Sequence, residues 1–256
     1  LWVARDWEGQ IGELYFVWAA RISQQETASH QGGRMTHKYV VGVDESGCGA
    51  LIGPLVVVAV AFPVDAERVT SMWKGVYDDK TLVAGDSKGI KNPAHRAALS
   101  IAVQATCSAV TIIEKTSAEI DARLLGSVFP EAIKLAASRC LERLKTLDPS
   151  LEPDDFLVLI DGDLERPDLP CQVKCIPNGD KLDWHIGAAS IVAKATHDKR
   201  IDELHKEYPN WGFDKSRGYP TREHKALLVK RGPTVAHRKS YRPVRAVMPR
   251  SEGIED

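Results

Sequence analysis

Two apolar runs separated by a glycine-rich turn, Val40–Val43 and Leu55–Phe62, dominate the hydrophobic pattern of the chain. Both are short, rich in β-branched residues and bounded by Gly or Pro, which predicts buried strands rather than helices. Val64 to Gly85 reads as a surface connection. An Ala-rich periodic stretch then predicts a helix from Pro93 to about Ala105, with the proline in the first turn, where its missing N–H costs nothing. Ser108–Glu114 predicts a strand. Ile133, Ala136, Cys140, Leu144 and Leu147 fall on one stripe, predicting a long helix from about Phe129 to Leu147 that ends before Pro149. Phe156–Ile160 reads as another buried strand and Gln172–Ile176 as a short one. A helix from about Asp183 into Glu207 begins with small residues suited to close packing on a sheet, and Thr221–Lys230 predicts a short helix. Strands and helices interleave, so the pattern predicts an α/β domain with helices covering a central sheet.

The strands deliver acids at their ends: Asp44 and Glu45 after the first, Asp161 after Phe156–Ile160, and Asp180 at the entry to a helix. Charge at the end of a buried strand is costly unless something compensates it, and a bound cation would do so. For Asp44 and Glu45 alone, an exposed strand end facing water explains the pair equally well. The recurrence is harder to dismiss, because adjacent strands would bring such acids within reach of shared cations, as two-metal phosphoryl chemistry requires.

Composition alters this picture little. The 256 residues suit one large domain, and the 43% hydrophobic and 27% charged fractions are those of an ordinary soluble protein. No apolar run is long enough to span a membrane. A net charge of −1 favours no partner in bulk, but Lys215–Arg250 carries eleven Lys or Arg against one acid, Glu223, a footprint for phosphate or a solvated end. Five cysteines, an odd number without framework spacing, point to a reducing, cytoplasmic compartment, and Cys171 and Cys175 lack the partners of a zinc site. Residues 1–34 differ from the rest and read as an N-terminal extension outside the core fold. Residues 35–246 then form the main domain and 247–256 a tail.

Taken in order, VGVDESGCG, GPLVVVAV, DSK (86–88), EID (119–121), LIDG (159–162), GD (179–180), AASIVAKATHD (188–198), RGYPT (217–221), His224 and HRKSY (237–241) resemble the ribonuclease HII family, over about Tyr39 to Val244. The resemblance implies a ribonuclease H-like mixed central sheet flanked by helices, with a helical C-terminal portion. It implies that Asp44, Glu45, Asp161 and Asp180 are the catalytic, metal-binding carboxylates, holding two divalent ions, Mg or Mn. The implied substrates are RNA–DNA hybrids and duplex DNA with embedded ribonucleotides, as in ribonucleotide excision repair, cut 5′ to the ribonucleotide to leave 3′-hydroxyl and 5′-phosphate. Gly47, Cys48 and Gly49 match the turn whose main chain reads the 2′-hydroxyl, Ser87 and Lys88 a phosphate-approaching loop, and Tyr219 a tyrosine packed on the neighbouring deoxyribose. From the residues alone, Asp180 reads as a helix N-terminal acid favoured by the macrodipole, and Tyr219 as a turn-packing aromatic. His224, His237 and Arg238 match too, with structural roles as the plain alternative.

Three positions depart from the family pattern: Cys48, Asn178 and His197 stand where basic residues are expected. Each lost phosphate contact should weaken binding and flatten its salt dependence. The persistence of all four carboxylates favours an active enzyme, and a monomer is expected. The alternatives are an impaired or non-catalytic hybrid-binding protein, or another ribonuclease H-like nuclease. The tail after Val244 lacks an obvious aromatic-capped peptide for a sliding clamp.

Overall fold

The computed structural model describes residues 37–64 and 90–249. The extension 1–34, Ser87 and Lys88, most of the connection after Val64, and the end of the tail lie outside these residues.

Five strands form one sheet in the order β3-β2-β1-β4-β5: β1 (Tyr39–Ser46), β2 (Leu55–Pro63), β3 (Ala109–Lys115), β4 (Phe156–Asp161) and β5 (Gln172–Ile176). The first three strands are antiparallel neighbours, whereas β4 runs parallel to β1 and β5 parallel to β4. One register positions the site. Val43 pairs with Ile160 across β1 and β4, so Asp44 and Asp161, each one residue further on, emerge side by side at the same sheet edge.

Both faces of the sheet are covered, which explains why β2 is an unbroken apolar run. Its alternate residues Leu55, Val57, Ala59 and Ala61 pack with α3 (Leu125–Leu147), through Ile133, Ala136, Ala137, Cys140 and Leu144. The intervening Val56, Val58, Val60 and Phe62 pack under α1 (Pro93–Thr106) and α5 (Trp184–Glu207), against Val103, Ala188, Ala189, Val192 and Ala193. The small residues at the start of α5 allow a very close approach to β1. A Cβ on Gly42 would lie 2.0 Å from the His185 carbonyl oxygen, so only glycine fits. A third cluster, including Ile52, Ile201, Trp211, Phe213, Leu228 and Val244, joins the C-terminal helices to the domain. These are α6 (Phe213–Ser216), α7 (Arg222–Arg231) and α8 (Arg242–Arg245).

Two elements differ from the sequence expectation. The long helix α3 starts at Leu125, four residues before Phe129, and contains Pro130, whose missing N–H forfeits one bond toward the Gly126 carbonyl. A further helix, α2 (Ser117–Arg123), precedes it. Its signal was present as a capping box, in which the Thr116 side chain accepts from the Glu119 N–H and the Glu119 carboxylate accepts from the Thr116 N–H.

Candidate active site

Asp44, Glu45 and Asp161 each offer a carboxylate oxygen, and the three atoms lie within 4.8 Å of one another. β1 supplies the first two and β4 the third. Asp44 is buried and its Oδ1 accepts the Glu45 N–H at 2.7 Å. Asp161 Oδ1 accepts the Gly179 N–H at 2.6 Å and, more weakly, the Asp180 N–H at 3.4 Å. These bonds dock the short helix α4 (Gly179–Leu182) on the acidic end of β4. A Cβ on Gly179 would fall 2.5 Å from Ile186 Cδ1, so a larger residue there would have to displace that side chain. Asp180 is thus brought beside Asp161 through its backbone and is itself buried, but its carboxylate is not one of the three mutually close ligand groups. Asn178, just before it, adopts the left-handed conformation (φ 55°), which asparagine tolerates better than lysine.

The electrostatics of the cluster are unfavourable for bare acids. Burial, followed by the neighbouring Glu45 and Asp161 charges, raises the Asp44 carboxyl well above its usual range, with a Ser190 hydrogen bond pulling the other way. Glu45 is raised too, by burial first, then Asp161, while its bond with Asp44 opposes the shift. Such a group is relieved by protonation or by a cation. The donors are all carboxylate oxygens, the ligand class of hard divalent ions, so the cluster fits Mg2+ or Mn2+ better than a soft metal.

The glycine turn follows directly. Gly47 has φ +93°, and a Cβ there would lie 2.5 Å from the His197 ring, so both backbone and space demand glycine. Gly49 is exposed, and the place of its missing Cβ is 3.8 Å from Tyr219 Cε1. The turn and Tyr219 therefore adjoin each other beside the carboxylates. Cys48, within the turn, is half-buried against the core on one face of the sheet, its thiol pushed up by burial and then by the Glu45 charge. Lys194 Nζ lies 5.4 Å from the Tyr219 ring centroid and bonds Asp198 Oδ1 at 2.7 Å, while Arg96 Nη1 bonds Asp198 Oδ2 at 2.7 Å. Burial alone would raise Asp198; His197, Lys194 and Arg96 together bring it down to about 2.

His197 corrects one expectation. It is fully buried under Gly47, with Nδ1 3.9 Å from Asp198 Oδ1 and neither ring nitrogen within hydrogen-bonding distance of a partner, so it occupies a packing position and not a phosphate-facing one. Two functional candidates were understated in the sequence. Arg238, also fully buried, donates to the carbonyls of Gly47 (2.7 Å), Cys48 (3.2 Å) and Gly53 (2.9 Å). Tyr241 donates its hydroxyl proton to the Cys48 carbonyl at 2.6 Å. Their signal was the HRKSY segment, but nothing in it says which carbonyls it serves.

The Ribonuclease HII family model matches residues 41–244. The chain belongs to the ribonuclease HII family. It is 40% identical over 206 residues to the ribonuclease HII of Nitrosococcus oceani, covering 80% of this chain and 90% of that one. Among solved structures, the ribonuclease H2 of Pyrococcus horikoshii OT3 superposes with a TM-score of 0.62 at 22% identity, covering 82% of this chain and 96% of that one. Bst-RNase HIII, solved in complex with Mn2+, gives 0.55 at 18% identity over 87% of this chain and 75% of that one. As a ribonuclease HII, the protein is an endoribonuclease of the ribonuclease H class, a hydrolase. Among the described residues, no helix is long and apolar enough to cross a membrane.

Proposed function

We propose that this ribonuclease HII hydrolyses the RNA strand of RNA–DNA hybrids and nicks duplex DNA on the 5′ side of embedded ribonucleotides, leaving 3′-hydroxyl and 5′-phosphate ends. The observation that carries this reading is the meeting of Asp44, Glu45 and Asp161 beside a glycine turn and Tyr219. Asp44 and Asp161 serve as the central ligands, with Glu45 and Asp180 completing the set for two divalent ions. When bound, Mg2+ or Mn2+ supplies an activated water at neutral pH and stabilises charge on the phosphate and the departing 3′ oxygen. The backbone of Gly47, Cys48 and Gly49 approaches the minor groove to read the 2′-hydroxyl, the group that separates RNA from DNA. Tyr219 packs against the adjoining deoxyribose, and Ser87 and Lys88 approach the phosphate backbone.

The test is incubation with Mg2+ or Mn2+ and a DNA duplex carrying one ribonucleotide, next to an all-DNA duplex and a continuous hybrid. A nick 5′ to the ribonucleotide is expected. Cutting of the all-DNA duplex, or binding to the ribonucleotide duplex without cleavage, would overturn the reading. With Cys48 in the turn, one cation near the substrate is absent. Cys48→Arg is expected to tighten hybrid binding and to steepen its salt dependence by about one unit of slope, as one added phosphate contact does.

A further inference from the structure

The segment Thr234–Tyr241 grips two separate parts of the site at once. One arm is Arg238 with Tyr241. The guanidinium donates to the carbonyls of Gly47, Cys48 and Gly53, and to the Tyr241 hydroxyl at 2.8 Å, which in turn donates to Cys48. The second arm is a chain of two buried histidines. The Thr234 N–H donates to His237 Nδ1 (3.0 Å), His237 Nε2 meets His224 Nε2 (3.2 Å), and His224 Nδ1 meets the Tyr219 carbonyl (2.9 Å).

The proton positions in this chain follow from its ends. The Thr234 N–H can only donate, so His237 accepts at Nδ1 and carries its proton on Nε2. The Tyr219 carbonyl can only accept, so His224 carries its proton on Nδ1 and accepts at Nε2. Both ends give the same polarity, with both rings neutral and every bond satisfied.

Between the arms the backbones are joined directly. The Leu51 N–H donates to the Gly218 carbonyl and the Arg238 N–H to the Leu51 carbonyl, each at 2.8 Å. Ile52 and His237 form an isolated bridge. The segment is anchored from behind by α2, where the Asp121 carboxylate accepts the N–H groups of Lys239 and Ser240, both at 2.8 Å, and the Ser117 hydroxyl donates to the Ala236 carbonyl at 2.7 Å.

We propose that Thr234–Tyr241 is a positioning strap that sets the spacing between the Gly47–Gly49 turn and Tyr219, and so sets the preference for a lone ribonucleotide over a continuous hybrid. This rests on the reading of those two elements given above. The bonds of Arg238 and the two histidines go to main-chain groups, to Tyr241 and to each other rather than to the carboxylates, so the strap acts on how substrate is seated rather than on bond cleavage. A lone ribonucleotide must be recognised at a single step, where the turn and Tyr219 have to engage together. A continuous hybrid offers a 2′-hydroxyl at every step and tolerates a looser pair.

The experiment uses the full chain with Tyr241→Phe, which removes only the hydroxyl, and His224→Phe, which keeps a planar ring, bulkier than the imidazole, and removes both ring nitrogens. KM and kcat are measured on a single-ribonucleotide duplex and on a continuous hybrid, with melting temperature alongside. For each folded variant, KM for the lone ribonucleotide is expected to rise about fivefold, the worth of roughly one hydrogen bond, with kcat on both substrates nearly unchanged. An unchanged preference between the two substrates overturns the proposal. So does an equal loss on both in step with falling melting temperature, because that marks general destabilisation. If the parent protein itself fails to nick at a lone ribonucleotide, the functional reading fails, and amide hydrogen exchange decides the strap separately. Faster exchange at Leu51 and Arg238 in the variants would uphold it, and unaltered exchange would overturn it.

Discussion

Asp44 shows how a single residue carries both the cost and the use of this site. Its carboxylate is buried against two others, a placement that destabilises the metal-free fold. Asp44→Asn keeps the shape, and the amide oxygen keeps the bond from the Glu45 N–H. Without metal, this variant is expected to melt at a higher temperature than the parent, while cleavage falls on the order of a hundredfold or more, as when a group stabilising transition-state charge is removed. Calorimetry with and without Mg2+ checks this, since metal should raise the parent's melting temperature more than the variant's. Leu124 is strained in its backbone and lies away from the carboxylates. It is 60% exposed, holds φ +64°, and sits at the N-cap of α3 without a side-chain hydrogen bond. Its ψ of 148° puts it in a region that only glycine occupies readily, so Leu124→Gly is expected to stabilise the fold by about 1 kcal/mol. A chemical denaturation midpoint that failed to move upward would count against that account.

At the scale of elements, the contact between α5 and β1 is the tightest constraint near the site. Gly42→Ala would place a methyl group 2.0 Å from the His185 carbonyl oxygen, so the helix must back away from the strand that carries Asp44 and Glu45. The expected loss is roughly 3 kcal/mol or more, at the upper end for overpacking, because backbone and not a flexible side chain is in the way. Reduced melting temperature together with weaker metal binding is the expected pair of results. The small-residue start of α5 made close packing on a sheet legible in the sequence, and the apolar run of β2 declared a strand covered on both faces. The acids of β1 and β4 were legible as charges where the apolar run stops, although β1 itself continues through Asp44 and Glu45 to Ser46. The pairing that unites them was not, because β1 and β4 are separated by more than a hundred residues and the register depends on tertiary packing. Asp180 shows a similar limit, since an acid beside a short helix has a local explanation. Arg238 was the least legible of all. Its partners are main-chain carbonyls at Gly47, Cys48 and Gly53, and no side-chain pattern announces a carbonyl.

For the molecule as a whole, the buried histidines join the C-terminal helices to the sheet domain and make that junction sensitive to acid. Burial lowers His197, His224 and His237, the last to about 4, with the neighbouring His224 adding to the shift. In the unfolded chain each titrates near 6.5. Between about pH 6.5 and 4 the unfolded state therefore binds more protons than the folded one, so stability rises with pH across this window and is lost on acidification through it. For His237 alone the span corresponds to about 3 kcal/mol, from roughly 2.5 pH units at 1.36 kcal/mol each. Asp44 and Glu45 work in the opposite sense. Their raised values mean that the folded state holds protons longer, so they destabilise the metal-free protein as pH rises. The two effects are separable in the Asp44→Asn background, where the largest of the opposing contributions is removed. There, melting temperature is expected to fall steadily from pH 6.5 to 4.5, and the fall should be shallower when His237→Phe is added. Equal slopes with and without His237 would place the acid sensitivity elsewhere. A shallower slope would show that the junction holding Tyr219 toward the glycine turn depends on imidazoles that stay uncharged throughout the neutral range.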